Sequence, residues 1–350
     1  MSTKPVLVTI HGMGNHTADS FKKEVIDAAN TALKRYSNTK NEKFESHVII
    51  EPIAYDWIFE EIREQIVESS QSVLTFLQIN SLLDNVPGLI PSIAEFESDL
   101  GDDDFVNTHW LDVLLYLTNL GERIRVYVAR ELVGIMARHP QSKIYVLAHS
   151  LGTAVLHDAL SKLYRSEFDP NDEVPDLSIT DNKLHGIWMI ANVSRILSQF
   201  SGMQEPYKSV VRPGEGGCSI VFRNVQHELD PFTWPRTFQP KADSGWIRPS
   251  VYQNAYKGIV IDDITRFNTH DVMGYLEDPK TCYTFLNDFM DFDPSEDEWE
   301  AGNKSIKTIK NGYQKLKDKL FELDNVSDVR DFLKMISDYQ KFIKELKDDI

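Results

Sequence analysis

The sequence predicts an α/β fold in which helices cover both faces of a mainly parallel, roughly six-stranded sheet. Six runs of residues are apolar almost without interruption, which is typical of strands that are buried on both faces. Most of these runs are followed by a stretch whose apolar residues recur with the period of a helix. Strands that alternate with helices in this way form parallel sheets.

The strand candidates and the helices between them can be assigned in chain order. The strands are expected at 6–10, 47–55, 143–148, 184–191, 218–225 and 257–267. Helices are predicted around 21–33, over 109–137 and over 150–164. Asp19 or Ser20 is the expected N-cap of the first helix, and Pro140 stops the second because proline cannot continue a helix. The third helix starts at Ser150 itself.

Two segments fall outside this alternation. Residues 57–105 carry an apolar run that is broken by Pro87 and Pro91 and followed by an acidic stretch, so a helical insertion over the sheet is expected. Beyond a domain that covers 1–295, two helical stripes separated by a turn predict a C-terminal helical hairpin over 296–350. The hairpin is expected to pack on the same domain; a homodimer contact is the alternative.

The overall charge and the cysteine content limit the classes of function. The net charge of −17 repels nucleic-acid phosphates and anionic lipid head groups, so nucleic acid is not expected as a partner. The two cysteines, Cys218 and Cys282, form no metal-binding or redox motif, which favours a reducing compartment and a cytoplasmic location. No apolar run is long enough to span a membrane, and no signal peptide is recognised.

The stretch IYVLAHSLGTA at 144–154 carries the strongest chemical signal. A strand that runs through a sharp turn into a helix, with serine at the corner, is a nucleophile elbow. Ala148 and Gly152 flank Ser150 at the two positions where a tight turn leaves no room for larger side chains. An ordinary N-cap serine is the alternative interpretation, but the preceding apolar strand favours the nucleophile.

A nucleophilic serine needs a base, and the base needs an acid that orients it. Active sites of open α/β sheets lie at the carboxyl ends of the strands. Asp230 follows the strand at 218–225 and His270 follows the strand at 257–267, in the order serine, acid, histidine. These two residues are therefore the predicted acid and base.

Other acids and histidines fit less well. Asp262 and Asp263 are placed inside the last predicted strand, where they do not reach its end, and His227 precedes Asp230 in the chain. His157 lies down the helix after the serine. His11 and His149 are interpreted as local parts of turns, so a structural role is expected for all of the rival histidines.

The tetrahedral intermediate of acyl transfer requires two hydrogen-bond donors. The backbone N–H of Leu151 is one candidate. The other is the N–H of Met13, because Gly12 lets the chain turn inward after the first strand. The same HGMG stretch could be mistaken for a phosphate-binding loop, but it lacks the later glycine and the lysine of such loops.

With IHGMGN, AHSLG, ELDPF and THD in this order, the chain resembles the α/β-hydrolase superfamily, near its lipase and esterase branch. The resemblance covers about residues 5–290. It implies a catalytic triad of Ser150, His270 and Asp230, and an oxyanion hole at Met13 and Leu151. The usual first pair of strands is missing, which implies a reduced six-stranded sheet, and Ala148 replaces the usual first glycine of the elbow.

The expected function is hydrolysis of carboxylic esters with an apolar acyl chain, through an acyl-enzyme intermediate and with no cofactor or metal. An amidase, a thioesterase, a peptidase or a non-catalytic binding protein are the alternatives. The substrate is expected to be a small or lipid-like ester. Its pocket is expected to be covered by 57–105 as a lid and lined by 194–204; packing of 57–105 in the core, at a distance from the serine, is the alternative. Three aromatic residues near the acid are further candidates for lining the pocket, and packing in the core is the alternative for them: Trp234, Phe238 and Trp246.

Overall fold

The structure is a computed structural model that describes most of the chain up to residue 306 and parts of the remainder. The described residues are 3–14, 17–84, 89–91, 93–94, 104–201, 203–241, 245–266 and 268–306, followed by 308, 317–318, 329, 331–332, 334–336, 338–339 and 341. For 104–110 only the backbone is described.

Six strands form one parallel sheet in the order β2-β1-β3-β4-β5-β6. The strands are β1 (Val6–Ile10), β2 (Ile49–Ile53), β3 (Ile144–His149), β4 (Leu184–Ile190), β5 (Ser219–His227) and β6 (Tyr256–Ile261). Helices pack on both faces of this sheet. The predicted α/β fold with a six-stranded parallel sheet is therefore confirmed.

The described α-helices fall between and after these strands. They are α1 (Ala18–Leu33), α2 (Asp56–Ser69), α3 (Val73–Ile79), α4 (Asp104–Leu117), α5 (Leu120–Arg138), α6 (Leu151–Leu163), α7 (Ser194–Ser201), α8 (Pro249–Ala255), α9 (Val272–Glu277), α10 (Pro279–Phe289) and α11 (Glu296–Lys304). The predicted insertion at 57–105 is helical in its first half, where α2 and α3 lie.

Alternate side chains of the strands enter two separate cores. Val8 and Val146 belong to a core shared with α2, α5 and α6, whereas Leu7 and Leu147 belong to a core shared with α1, α9 and α10. Successive strand residues point to opposite faces, so an uninterrupted apolar run supplies both cores at once. This explains why the strands could be found as continuous apolar runs.

The long helix predicted over 109–137 was wrong, because two helices, α4 and α5, cover this region. Thr118 breaks the helix: its hydroxyl donates to the Leu115 carbonyl over 2.6 Å and accepts the Leu120 N–H over 3.2 Å. Threonine hydroxyls compete in this way with the helical ladder. Gly121 lets the two helices meet, since a Cβ there would lie 2.1 Å from the Tyr116 carbonyl oxygen.

Two further boundaries differ from the predictions. The N-cap of α1 is Thr17, whose Oγ1 accepts the Ser20 N–H over 3.1 Å, so the cap predicted at Asp19 or Ser20 was wrong. The last strand ends at Ile261 instead of continuing to 267. Asp262 and Asp263 therefore follow the strand rather than lie within it.

The order of the strands leaves a crevice at one end of the sheet. The chain leaves β1 for α1 on one face of the sheet, and it leaves β3 for α6 on the other face. Ligands of open parallel sheets bind where such neighbouring connections diverge, outside the carboxyl ends of the strands. The loops that begin at His11 and Ser150 lie on either side of this point.

The described residues of the C-terminal part pack on the same core as α5, α6 and α7. Those between 329 and 341 are helical. A buried stripe runs along them and consists of Val329, Phe332, Met335, Ile336 and Tyr339. Across the described ranges, no helix combines the length and the apolar character that a membrane crossing requires.

Candidate active site

Ser150 occupies a strained turn between β3 and α6. Its backbone φ is 55° and its ψ is −129°, a conformation that residues other than glycine rarely adopt. The Ser150 N–H donates to the Ile190 carbonyl over 3.1 Å, and the Thr153 hydroxyl donates to the Ser150 carbonyl over 2.7 Å. These bonds hold the turn, so that the serine stands at the carboxyl end of the sheet.

Two glycines make this turn sterically possible. A Cβ on Gly152 would lie 2.2 Å from the His11 carbonyl oxygen, so only glycine lets α6 start against the end of β1. A Cβ on Gly12 would lie 2.6 Å from Ser150 Cβ and 3.2 Å from its Oγ. The loop after β1 therefore approaches the serine more closely than any side-chain-bearing residue would allow.

The structure brings the predicted serine, histidine and aspartate together. Ser150 Oγ lies 2.7 Å from His270 Nε2, and His270 Nδ1 lies 2.7 Å from Asp230 Oδ2. Because the carboxylate can only accept, the histidine donates through Nδ1 and is left with Nε2 as the acceptor for the serine hydroxyl. This is the arrangement in which a histidine acts as base toward a serine.

Asp230 is fully buried, and its carboxylate accepts two hydrogen bonds besides that of the histidine. The Phe232 N–H donates to Oδ1 over 2.9 Å, and the Tyr275 hydroxyl donates to Oδ2 over 2.5 Å. Burial raises the pKa of Tyr275 well above its usual value, and the nearby Asp230 adds to the shift, so this hydroxyl keeps its proton. The three donors hold the carboxylate in one orientation toward the histidine.

The imidazole of His270 is held from two further sides. The ring of Phe232 stacks on it with centroids 4.0 Å apart, and His149 donates through Nε2 to the His270 carbonyl over 2.8 Å. Sequence reasoning assigned His149 to a local turn and missed both this contact and Tyr275. Phe232 had a signal, because it stands two residues after the acid within ELDPF.

Met13 and Leu151, the predicted oxyanion donors, both lie beside Ser150. Leu151 is the first residue of α6, where helical N–H groups lack an intrahelical acceptor and the helix dipole favours negative charge. Within the described part of the chain, neither backbone N–H donates to a protein oxygen. Met13 and Leu151 thus line the same cavity as the serine, and their N–H groups stay the candidates for the predicted oxyanion hole.

The loop that carries Met13 is tied to α2 and α4. The Gly14 N–H donates to Asp112 Oδ2 over 3.4 Å, and Arg63 forms an ion pair with Asp112 and a second one, over 3.7 Å, with Asp56. Burial raises the pKa of Asp112 to about 7, although the charge of Arg63 opposes the shift. No sequence motif indicated this anchor, because its members come from three distant segments.

An apolar cavity opens directly in front of Ser150. It is lined by Met13, Val113, Leu151, Val193, Leu197, Phe232 and Phe332, with the serine at its base. Its volume of about 10 Å³ holds about one water molecule. Leu197 lies in the segment 194–204 that was expected to contribute to the pocket, whereas Phe332 comes from the C-terminal part and was not expected there.

The other segments that were expected at the pocket lie elsewhere. Phe238 and Trp246 pack around Phe222, in the core beneath β5, and neither they nor Trp234 lines this cavity. No described residue of 57–105 lines it either, and Leu77 and Leu89 of that segment pack into the core. The lid role of 57–105 remains a prediction that also concerns residues outside the described ranges.

The rival histidines and acids have other partners. His11 accepts the Tyr55 N–H, His157 lies 3.0 Å from Asp158, and His227 bonds to the backbone of its own loop and of Asp263. Asp262 pairs with Lys280 over 2.5 Å at the surface. Asp262 and Asp263 follow β6 and do not lie within it, so the reason given for setting them aside was wrong; the carboxylate that contacts the His270 imidazole is nevertheless that of Asp230.

The site brings a serine, a histidine, an aspartate and two candidate oxyanion donors together in one crevice. No protein-family model matches this chain, and no curated protein matches it. The functional assignment consequently depends on the geometry around Ser150.

Proposed function

We propose that this protein is a serine hydrolase of the α/β-hydrolase superfamily, close to its esterase and lipase branch, and that it cleaves carboxylic esters. One observation carries the proposal: an unbroken chain of hydrogen bonds leads from Ser150 Oγ through His270 to the buried carboxylate of Asp230. The positive φ of Ser150 at a strand-to-helix turn adds to it. Strained backbone of this kind persists where a site requires it.

In the proposed reaction, Ser150 Oγ attacks the carbonyl carbon of the ester while His270 Nε2 takes the hydroxyl proton. The negative charge on the carbonyl oxygen is met by the N–H groups of Met13 and Leu151. Asp230 stabilises the imidazolium. His270 then gives its proton to the leaving alcohol, and a water molecule attacks the acyl-enzyme with the same histidine as base.

The lining of the cavity supports an apolar acyl group. Except for the serine, every described residue that lines it is apolar or aromatic. A buried polar substituent would lose its hydrogen bonds to water there without replacement, whereas an alkyl group gains by leaving water. A metal or an organic cofactor is not needed for any step of this reaction.

Labelling by a fluorophosphonate tests the proposal, because such reagents react with an activated serine. We expect the wild type to be labelled at Ser150, and S150A to lose both the label and the hydrolysis of p-nitrophenyl acetate. S161A is a matched control, since Ser161 is equally buried and lies on the same helix. Label at another residue, or ordinary turnover by S150A, would contradict the assignment.

The type of bond that is cleaved can be identified by comparing kcat/KM for an ester, a thioester and an anilide of the same acyl group. We expect the highest kcat/KM for the ester. A preference for the thioester or anilide would make the protein a thioesterase or an amidase with the same triad. A chain that takes neither the label nor any of these substrates would be a non-catalytic binding protein.

A further inference from the structure

The cavity in front of Ser150 is completed by a residue from the far end of the chain. Phe332 is one of the residues that line it, and only 2% of Phe332 is exposed. The described residues around Phe332 are helical, and its ring contacts Phe200 of α7 with centroids 6.5 Å apart. The C-terminal part therefore contributes to the wall of the cavity through Phe332, next to α7, which contributes Leu197.

Tyr339 anchors this C-terminal part to the catalytic loops. Its hydroxyl donates to the Leu229 carbonyl over 2.9 Å and lies 3.3 Å from Thr269 Oγ1. Leu229 precedes Asp230 in the chain, and Thr269 precedes His270. One tyrosine thus touches the neighbours of both the proposed acid and the proposed base, and it fixes the position of the helical turns that carry Phe332.

The burial of the other residues of the stripe supports the same position of the C-terminal part. Val329, Met335 and Ile336 are each exposed by 5% or less and belong to the core on that face of the sheet. Spacings of three and four residues place them on one helical face together with Phe332 and Tyr339. This arrangement buries an apolar stripe that would otherwise have faced water.

We propose that Phe332 is the specificity-determining residue that limits the length of the acyl chain. This inference rests on the proposed ester hydrolysis. With Phe332 in place, the cavity has room for about one water molecule, so it accepts a group of about methyl size and excludes a longer chain. The substrate class is accordingly an ester of a short apolar acid, of the size of acetate.

The test compares kcat/KM for p-nitrophenyl acetate, butyrate, hexanoate and octanoate in the wild type and in F332A. The wild type is expected to prefer the short esters. In F332A, the ratio of octanoate to acetate is expected to rise by about fourfold for each additional methylene that the enlarged pocket accepts, which corresponds to ~0.8 kcal/mol per methylene. F332L is expected to shift the ratio in the same direction by less.

M335A is the matched control, because Met335 lies on the same buried stripe but does not line the cavity. It loosens the packing of the segment without enlarging the pocket, so its ratio of octanoate to acetate should equal that of the wild type. If F332A does not fold, the ratio of octanoate to acetate in F332L is compared with that in M335A. F332L is expected to fold because leucine keeps most of the buried volume.

Two results would overturn the inference. One is an unchanged ratio in folded F332A or F332L; the other is an equal shift in M335A, which would trace the effect to loosened packing. If either result is obtained while Ser150 is still labelled by a fluorophosphonate, Phe332 does not determine specificity, but the proposed function is not contradicted. A wild type that takes no label and hydrolyses no ester would overturn both.

Discussion

The Tyr275 hydroxyl donates a hydrogen bond to Asp230 Oδ2 over 2.5 Å, the same carboxylate oxygen that accepts the hydrogen bond from His270 Nδ1. Both residues are almost wholly buried, so the bond is made in a region of low dielectric, where a charge-assisted hydrogen bond is strong. The tyrosine also accepts the His227 N–H over 3.2 Å. It connects the proposed acid to the end of β5.

Replacing Tyr275 with phenylalanine removes one donor from the carboxylate and keeps the ring. We expect Y275F to lose about 1.5–3 kcal/mol of unfolding free energy, the usual worth of a hydrogen bond to a charged group. We also expect kcat to fall by about tenfold, because the carboxylate is oriented less firmly. Urea denaturation and ester kinetics measure the two effects. An unchanged kcat would assign a purely structural role to the tyrosine.

Exchange of Asp230 for asparagine tests the acid directly. An amide NH₂ opposite Nδ1 favours the tautomer with the proton on Nε2, which cannot accept the serine proton. We expect kcat in D230N to fall by about 10⁴-fold, as for the equivalent change in a serine protease triad. D263N is the control, since Asp263 was a rival acid and contacts the His227 ring only through its carbonyl. A comparable loss in D263N would reverse the assignment.

Adding a methyl group to Gly12 tests the close approach of the β1 loop to the serine. In G12A the new Cβ would lie 2.6 Å from Ser150 Cβ, so the loop must retreat and carry the Met13 N–H with it. We expect kcat to fall by on the order of a hundredfold or more, the cost of one oxyanion donor.

G134A is the matched control for G12A. Gly134 lies inside α5, and a Cβ there would meet only the end of the Arg138 side chain, 3.6 Å away. Alanine in a helix interior is favoured over glycine by up to about 1 kcal/mol, so G134A should raise the melting temperature and leave kcat unchanged. Full activity in G12A would mean that the loop contributes no donor.

Asp278 makes the stability depend on pH. It caps α10 by accepting the Lys280 N–H over 2.8 Å, and burial raises the pKa of this carboxyl to about 6. A raised pKa means that the folded state holds the proton more tightly than the unfolded state. The stability contributed by this group is therefore full below about pH 4 and is lost as the pH rises through about 6.

Asparagine at this position keeps the cap and removes the titration. The unfolding free energy of the wild type minus that of D278N should consequently be larger at pH 5 than at pH 8, by about 1 to 1.5 kcal/mol. Urea titrations of both proteins at the two pH values measure this double difference, in which other titrating groups cancel. A difference independent of pH would show that Asp278 titrates alike in both states.

The parts of the fold and of the site that could be predicted are those that depend on a few residues close together in the sequence. β1 and β4 are nearly continuous apolar runs, and the small residues around Ser150 follow from the sterics of one turn. The end of β6 was placed too late because residues up to Phe267 still read as strand-like. The break at Thr118 was missed because a hydroxyl that competes with the helix ladder leaves the apolar period intact.

The contacts that hold the site together could not be predicted. Tyr275, Tyr339 and Asp112 act on residues that are distant along the chain, and an isolated tyrosine or aspartate on a helix carries no signal of its partner. The contribution of Phe332 to the cavity wall was missed for the same reason. The apolar spacing around Phe332 predicts a buried helical face, but it does not say which surface buries it.

The position of Phe332 near the end of the chain has a consequence for biosynthesis. All six strands, together with Ser150, Asp230 and His270, leave the ribosome before this residue does, because chains are made from the N-terminus. A nascent chain can thus complete its sheet while Met13, Val193 and Leu197 still lack the side chain that covers them. The apolar side chains beside the serine are then open to water and to other unfinished chains, until the segment that carries Phe332 is released and docks.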